Sequence, residues 1–158
     1  LPEINGYMQL PGAQYRAQEV SCELESCTLA MELAGAYPKE CGIRSYRREI
    51  RLEKGREIVV RDSFSFDGDS CGESAAGKNT LILNLMTYEK PAPEQTEEPG
   101  AKVLRIGEEG GKLLLENAHV KAIEAIPITD ARLQNAWKHD VYRILVEPDK
   151  ENMTLRIS

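Results

Sequence analysis

The residue types that most often perform chemistry are sparse in this sequence. It holds two histidines, His119 and His139, and neither has a second histidine or a carboxylate at metal-ligand spacing on a shared strand face. We expect His119 to lie at a surface or an interface and His139 to lie in a turn. Motifs for a nucleophilic serine, a phosphate-binding glycine loop or a dinucleotide are absent. The sequence therefore predicts no catalytic residue and no metal site within this chain.

Acidic and thiol groups offer two weaker candidates for metal binding or cross-linking. Asp67, Asp69 and Glu73 lie beside two glycines but lack the ligand series of a calcium loop, so we expect a solvated turn. We expect free thiols, which favours a reducing, cytoplasmic compartment, although Cys22 and Cys27 could face each other across a turn. No zinc pattern fits the four cysteines, which are Cys22, Cys27, Cys41 and Cys71.

Arg48 and Asp62 are charged residues at positions that the pattern assigns to an apolar sheet face. They fall in two alternating segments, and Gly55 suits the last position of a three-residue loop between them. That loop pairs Leu52 with Arg56 and makes Arg48 and Asp62 diagonal neighbours. Because a lone buried charge is costly, we expect a structural ion pair that holds the hairpin in register. The alternative is a sugar-binding pair on an open face.

Period-two alternation of apolar residues runs through the whole sequence and is typical of strands. Short turns join many of these segments, which predicts an all-β fold: an antiparallel β-sandwich of about ten strands, of the supersandwich type. The single helical segment that we expect is one short turn at Asp130–Trp137. The Pro-rich residues 89–100 are expected to form an exposed connecting loop. The main expected strands cover residues 14–24, 28–33, 43–66 (a hairpin), 80–88, 101–106, 112–116, 119–128, 141–147 and 153–157, with a further short strand at 4–9.

Length and charge narrow the class of protein. The chain has 158 residues, which suits a single β-sandwich domain over 1–158. Its net charge of −6 argues against nucleic acid as a partner, because like charges repel. No apolar run is long enough to span a bilayer, so no membrane segment is expected. Since the chain begins at Leu1 without a methionine or a leader, we expect a fragment or a processed chain of a larger protein that could be periplasmic or secreted.

Aromatic side chains are candidates for sugar binding, because sugar rings stack on them. We expect Trp137 and Tyr142 to pack in the core, where large aromatic side chains usually contribute buried area. For Tyr7 and Tyr15, core packing and sugar contact are equally compatible with the sequence.

Several short motifs, in order over nearly the whole chain, resemble the heparinase II/III-like polysaccharide lyases. Leu1–Gln9 is similar to the family segment P-x-(apolar)-N-G-x-x-Q, and Ala36–Pro38 is similar to its A-Y-P at a strand end. Residues 45–64 resemble its R…v.v.D.f hairpin, and residues 126–144 resemble its D.rL...W…yRi ending. Lys138 departs from the pattern, because a glycine commonly follows the tryptophan at this turn.

The resemblance implies a two-part bacterial lyase in which a helical toroid precedes a β-sandwich. Such lyases degrade glycosaminoglycans and other uronic-acid glycans by β-elimination: a base removes the C5 proton and an acid, often tyrosine, protonates the leaving oxygen. It implies that this chain is the non-catalytic β-sandwich domain, inactive alone, and that its partner is the missing N-terminal helical domain. No cofactor is expected in this fragment, although the parent could bind zinc or another divalent cation, mostly through upstream residues.

Asn5, Gln9 and Tyr15 are the residues that we expect to approach a uronic-acid polysaccharide in the cleft. For Asn5 and Gln9 the alternative is that their amides bind backbone within the sandwich. A second hypothesis is an independent acidic-glycan-binding module, which needs an exposed aromatic strip and a basic patch. The third, a sandwich enzyme such as a sugar epimerase, needs clustered histidine and glutamate. The dense candidates for the basic patch are Arg44, Arg47, Arg48 and Arg51.

Overall fold

The computed structural model describes residues 2–67, 79–96, 100–108 and 110–158, which form two antiparallel sheets. The four-stranded sheet has the order β1-β6-β11-β10, and the eight-stranded sheet has the order β2-β3-β4-β5-β12-β9-β8-β7. The strands are β1 (Glu3–Ile4), β2 (Gln18–Glu23), β3 (Thr28–Glu32), β4 (Ile43–Glu53), β5 (Glu57–Phe66), β6 (Leu81–Thr87), β7 (Pro91–Glu94), β8 (Lys102–Ile106), β9 (Gly111–Glu116), β10 (Ala118–Ile126), β11 (Val141–Pro148) and β12 (Asn152–Ile157).

One cluster of buried side chains joins the two sheets, which confirms the predicted all-β sandwich. Leu113 and Leu115 on β9 are buried while their neighbours are half-buried or exposed, as the alternation predicts. The cluster draws on the small sheet through Ile4, Leu81, Leu83, Ile144 and Val146, and on the large sheet through Tyr46, Phe64, Leu113, Leu115, Met153 and Leu155.

The predicted register of the β4–β5 hairpin is wrong by two residues. Leu52 lies opposite Ile58, and the loop is residues 54–56. Gly55 takes a φ of 75° in the middle of that loop, within a turn that the Arg56 N–H closes onto the Glu53 carbonyl oxygen at 2.9 Å. A shift of two keeps every side chain on its predicted face, because the side-chain period is two.

Two segments differ from the predicted strands. The expected strand at 4–9 stops at Ile4, because Asn5 and Gly6 both take positive φ and turn the chain so that Ile4 and Tyr7 exchange backbone hydrogen bonds. The expected loop at 89–100 contains β7, which pairs with β8 at the edge of the large sheet. Proline suits such an edge, since it lacks the N–H that an inner strand would need.

Short helical turns complete the described structure. The predicted helical turn is an α-helix of four residues, α1 (Ala131–Gln134), and the Asp130 side chain caps it by accepting the Arg132 N–H at 2.8 Å. Two 3-10 helices, Ala34–Ala36 and Lys39–Cys41, follow β3. Over the described ranges no helix is long and apolar enough to cross a membrane.

The thiols at the described positions are free. Cys22 lies opposite Leu29 on β3, and the thiol of Cys27 faces the carbonyl oxygen of Leu24, so these two cysteines do not pair. Of the acidic cluster, Asp67 is exposed, while Asp69, Glu73 and also Cys71 lie outside the described residues.

Candidate functional site

Asn5 is held by backbone groups on two sides. Its Nδ2 donates to the Cys41 carbonyl oxygen at 2.8 Å, and its Oδ1 accepts the Thr80 N–H at 2.7 Å. Its φ of 49° is one that few side chains other than asparagine adopt easily. The amide therefore ties the N-terminal turn to the second 3-10 helix and to the start of β6. Of the two interpretations of Asn5, this geometry is the one in which its amide binds backbone.

Tyr37, in the A-Y-P segment, fastens the same N-terminal turn. Its hydroxyl donates to the Pro2 carbonyl oxygen at 2.9 Å, and both residues are buried. Burial raises the pKa of the Tyr37 hydroxyl above its ordinary value, so it stays protonated and keeps donating. The segment Ala36–Pro38 thus contacts the N-terminal segment Leu1–Gln9, from which it is separated by 26 residues in the sequence.

Arg48 and Asp62 lie directly opposite each other on β4 and β5 instead of diagonally. The Arg48 guanidinium donates to both Asp62 oxygens, at 2.7 and 2.6 Å, and to the Tyr46 hydroxyl at 2.7 Å. The Tyr46 hydroxyl in turn donates to Asp62 at 2.8 Å. Asp62 is 1% exposed, so the three side chains form a closed polar cluster inside the sandwich.

The electrostatics of this cluster oppose a catalytic role. Burial raises the pKa of the Tyr46 hydroxyl, and the adjacent Asp62 raises it further. Burial disfavours the charge on Arg48, but the hydrogen bonds to Asp62 and the electrostatic interactions with Tyr46, Asp62 and Tyr37 together outweigh it and raise the guanidinium pKa. Tyr46 therefore remains a neutral donor and Arg48 remains charged, with their polar atoms already engaged. This arrangement is suited to stabilising the hairpin rather than to binding a sugar.

Tyr15 lines a cavity of about 590 Å³ at the β2–β3 end of the large sheet. The volume falls within the usual range for small-ligand sites, roughly 300–1,000 Å³. Tyr15 is half-buried, and the 3-10 helix Lys39–Cys41 contributes Lys39 to the rim. The polar and charged side chains of the lining are Gln14, Tyr15, Gln18, Glu32, Tyr37, Lys39, Glu40 and Arg44.

Two β-bulges border this cavity. The pairing of β4 with β5 shifts between Ile43 and Ser45, so Arg44 is an extra residue without a partner. The pairing of β2 with β3 shifts between Gln18 and Ser21. Because a bulge changes the direction of neighbouring side chains, Arg44 leaves the core face that Tyr46 occupies and lies exposed at the cavity.

Glu32 supports the wall of the cavity through its hydrogen bonds. One carboxylate oxygen accepts the N–H groups of Ala34 at 2.9 Å and Tyr46 at 2.6 Å, and the other accepts the Ser45 hydroxyl at 2.7 Å. Burial alone would raise the pKa of Glu32, but these donors outweigh it and lower the pKa below its ordinary value. Glu32 is therefore an ionised structural group whose charge is shared among three donors.

Gly35 lets the amide of Gln18 lie close to the first 3-10 helix. A Cβ at Gly35 would come within 2.9 Å of Gln18 Nε2 and 3.2 Å of the Arg16 carbonyl oxygen. Only glycine leaves this space open, so the position of the Gln18 amide depends on Gly35.

The expectation that Trp137 packs in the core is wrong. Trp137 is 43% exposed, because the residues after α1 form a surface loop, and its ring lies 5.8 Å from the ring of Tyr88. The ring of His139 also stacks on Tyr88, with 4.0 Å between the ring centroids. Tyr142 is half-buried on β11. The exposed rings of Tyr88, Trp137 and His139 therefore form an aromatic surface apart from the Tyr15 cavity.

Other predicted residues lie apart from the cavity. Gln9 is half-buried and does not line it, and Tyr7 is 41% exposed. His119 lies at the surface, where its Nδ1 is 2.6 Å from Asp149 Oδ1. No group of three or more metal-ligating side chains occurs within the ranges that the structure describes.

Sequence reasoning missed Gln14, Gln18, Glu32 and Lys39 as neighbours of Tyr15. They come from three separate parts of the chain, and no motif links them. A weak signal did exist, because Glu32 is a charged residue at the end of a strand that is otherwise largely apolar.

Comparisons with known proteins add a distant structural relationship. No family model matches the chain, and no curated protein matches it. The structure is similar to that of a heparinase III with methylated lysines, with a TM-score of 0.44 and 14% sequence identity. The similarity covers 89% of this chain and 20% of that one, so this chain spans about a fifth of the length of the heparinase III.

Proposed function

We propose that this chain is the non-catalytic β-sandwich domain of a heparinase II/III-like polysaccharide lyase. In this role it forms part of the cleft for a uronic-acid glycan and supports a helical catalytic domain elsewhere in the polypeptide. The observation that carries the proposal is the placement of the motif residues. Asn5, Tyr37, Arg48 and Asp62, from three of the motifs that resemble the family, all make structural contacts in the sandwich.

The fastened N-terminal turn explains how the sandwich would support a preceding domain. Pro2 and Ile4 are buried, and Asn5 and Tyr37 bind the turn from two sides. A segment held in this way would fix the position of an upstream domain relative to the sandwich. Any zinc or other divalent cation of the parent would then belong to that upstream domain.

Two described tyrosines and the two histidines are poorly placed for β-elimination, which needs a base at the C5 proton and an acid at the leaving oxygen. The hydroxyls of Tyr37 and Tyr46 donate to partners in the core and have raised pKa values. His119 contacts Asp149, and His139 contacts Tyr88. No pair of these groups faces a common cavity among those described.

Absorbance of unsaturated uronate product tests the proposal. The purified chain, incubated with heparan sulfate or another uronic-acid polymer, should give no increase in absorbance, whereas the parent protein should give one. Product formation by the isolated chain would overturn the non-catalytic role. A parent without eliminase activity on any uronic-acid polymer would overturn the lyase assignment.

An independent acidic-glycan-binding module remains the second candidate, and the exposed rings of Tyr88, Trp137 and His139 favour it. Aromatic faces at a surface are the usual platform for sugar rings. This candidate differs in one outcome: the chain would bind an acidic oligosaccharide with the same affinity whether or not the rest of the parent is present.

A further inference from the structure

We propose that the cavity around Tyr15 binds a carboxylate-bearing sugar residue, with Arg44 as the cation that recognises the carboxylate. The choice of a sugar carboxylate over other anions rests on the proposed function. The location of the anion site rests on charge and geometry alone.

Arg44 differs from most arginines of this protein in the partners of its guanidinium. Eight of the eleven arginines have a carboxylate oxygen within 4.0 Å. Within the part of the chain that the structure describes, Arg16, Arg44 and Arg105 have none. Arg105 donates to the Gly107 carbonyl oxygen, whereas Arg44 makes one long contact, 3.4 Å, to the Ser65 hydroxyl. The guanidinium of Arg44 therefore keeps most of its donors available.

A second cation for which the described ranges show no ion pair, Lys39, lines the same cavity as Arg44. Arg44 and Lys39 line the cavity, and Arg16 follows Tyr15 directly in sequence. The carboxylates of the lining are Glu32 and Glu40. Glu32 is occupied by three donors, and Glu40 is exposed next to Lys39. An anion that enters the cavity can thus meet Arg44 without competing with a formed ion pair.

A cavity on the far half of the large sheet provides the contrast. It is similar in volume, about 650 Å³, and also contains basic side chains. There Lys112 binds Glu94 at 2.6 Å, and Arg156 binds both Glu57 and Glu116 at 3.0 Å. Those charges are already compensated, so volume and basic residues alone do not single out the Tyr15 cavity; the unpaired state of Arg44 does.

The other side chains that line the cavity suit a sugar rather than an inorganic anion. The Tyr15 ring offers a face for the C–H groups of a pyranose, and the amides of Gln14 and Gln18 can both donate to and accept from hydroxyls. Gly35 keeps the space that the Gln18 amide needs. An inorganic ion would use Arg44 and Lys39 but would gain nothing from the ring.

Isothermal titration of the chain tests this site with three probes: a tetrasaccharide of alternating glucuronate and N-acetylglucosamine, its carboxyl-reduced form, and inorganic phosphate. We expect the acidic tetrasaccharide to bind and the other two to bind at least about tenfold more weakly. The carboxyl-reduced form loses the charge-assisted contact to Arg44, and phosphate keeps that contact but loses those to the Tyr15 ring and the amides. Arg44→Gln and Tyr15→Leu should each weaken the acidic probe by a similar factor, whereas Tyr15→Phe should retain binding because it keeps the ring.

Matched controls are available in the chain. Arg105→Gln removes another arginine without a carboxylate partner, and Tyr7→Ala removes another partly exposed tyrosine; neither residue lines the cavity. Both should bind as the original chain does, and thermal unfolding should show that all variants fold. Equal binding of the carboxyl-reduced probe, unchanged binding by Arg44→Gln, or no binding of the acidic probe would each overturn this site. None of those results would affect the eliminase assay of the parent, so failure of the site and failure of the proposed function are distinguishable.

Discussion

Arg44 and Arg48 lie four residues apart on β4, yet the fold uses their charges in opposite ways. Arg48 has a side chain that is 18% exposed and donates to both oxygens of Asp62. Arg44 is exposed, and no carboxylate pairs with it in the described ranges. With regular alternation both would face the core, because they are separated by an even number of residues. The bulge at Arg44 breaks that alternation and turns one of the two arginines to the surface.

Strand register, rather than residue type, determines whether an arginine of β4 forms a buried ion pair or lies exposed at the cavity. A charge directed into the core must find a complete set of partners, as Arg48 does with Asp62 and Tyr46. A charge directed to a cavity can stay unpaired because water solvates it, and it is then available to a ligand.

The largest loss of stability is expected when the buried ion pair of Arg48 and Asp62 is broken. Asp62→Ala should destabilise the protein by about 3–5 kcal/mol, because it leaves the Arg48 guanidinium buried without its partner. The double variant Arg48→Met with Asp62→Leu should lose less than Asp62→Ala alone, since both charges are removed together. Unfolding in urea measures both. A single variant as stable as the original chain would show that the pair contributes nothing.

An intermediate effect is expected at Glu32, which lies between the core and the cavity. Glu32→Gln should cost about 1–3 kcal/mol at pH 7, because three donors lose a charged acceptor. The folded pKa lies below the ordinary 4.5, so the ionised form contributes stability above pH 4.5 that is lost as the pH falls through the lowered folded pKa.

The pH dependence gives this expectation a specific signature. The difference in unfolding free energy between the original chain and Glu32→Gln should be constant from pH 7 to about pH 5 and should shrink at lower pH. Urea titrations at several pH values measure it. A difference that grows on acidification would contradict the assigned role of Glu32.

The smallest effect on stability is expected at the cavity end. Arg44→Gln should change the unfolding free energy by no more than about 0.5 kcal/mol, because an exposed side chain without an ion pair loses little on replacement. Arg48→Gln in the same urea assay serves as the matched comparison on the same strand and should cost several times more. Equal losses at the two positions would remove the distinction between them.

Much of the fold follows from the sequence because alternation is a local property. The buried face of a strand can be predicted from its own alternation, whatever the other strands are. Examples are Leu81 and Leu83 on β6 and Leu113 and Leu115 on β9. The hairpin error at Gly55 was confined to register, because the same turn residue fits two positions of a short loop. The edge strand β7 was missed because its prolines resemble those of a loop.

The candidate site was much less accessible to sequence reasoning. The sequence singles out Tyr15 but is equally compatible with core packing and with sugar contact at that position. Arg44 was recognised only as part of a basic run, since a bulge has no reliable local signature. Trp137 was assigned to the core on its size alone, yet the loop after α1 places it at the surface.

By itself the sequence determined the strands, their faces and the need of Arg48 and Asp62 for each other, because each depends on period-two alternation and on the cost of a buried charge. Only the tertiary structure decided that Gln14, Tyr15, Lys39 and Arg44 share one cavity. That decision depends on two interruptions of strand pairing, and an interruption is a property of two strands together, which neither strand's residues specify alone.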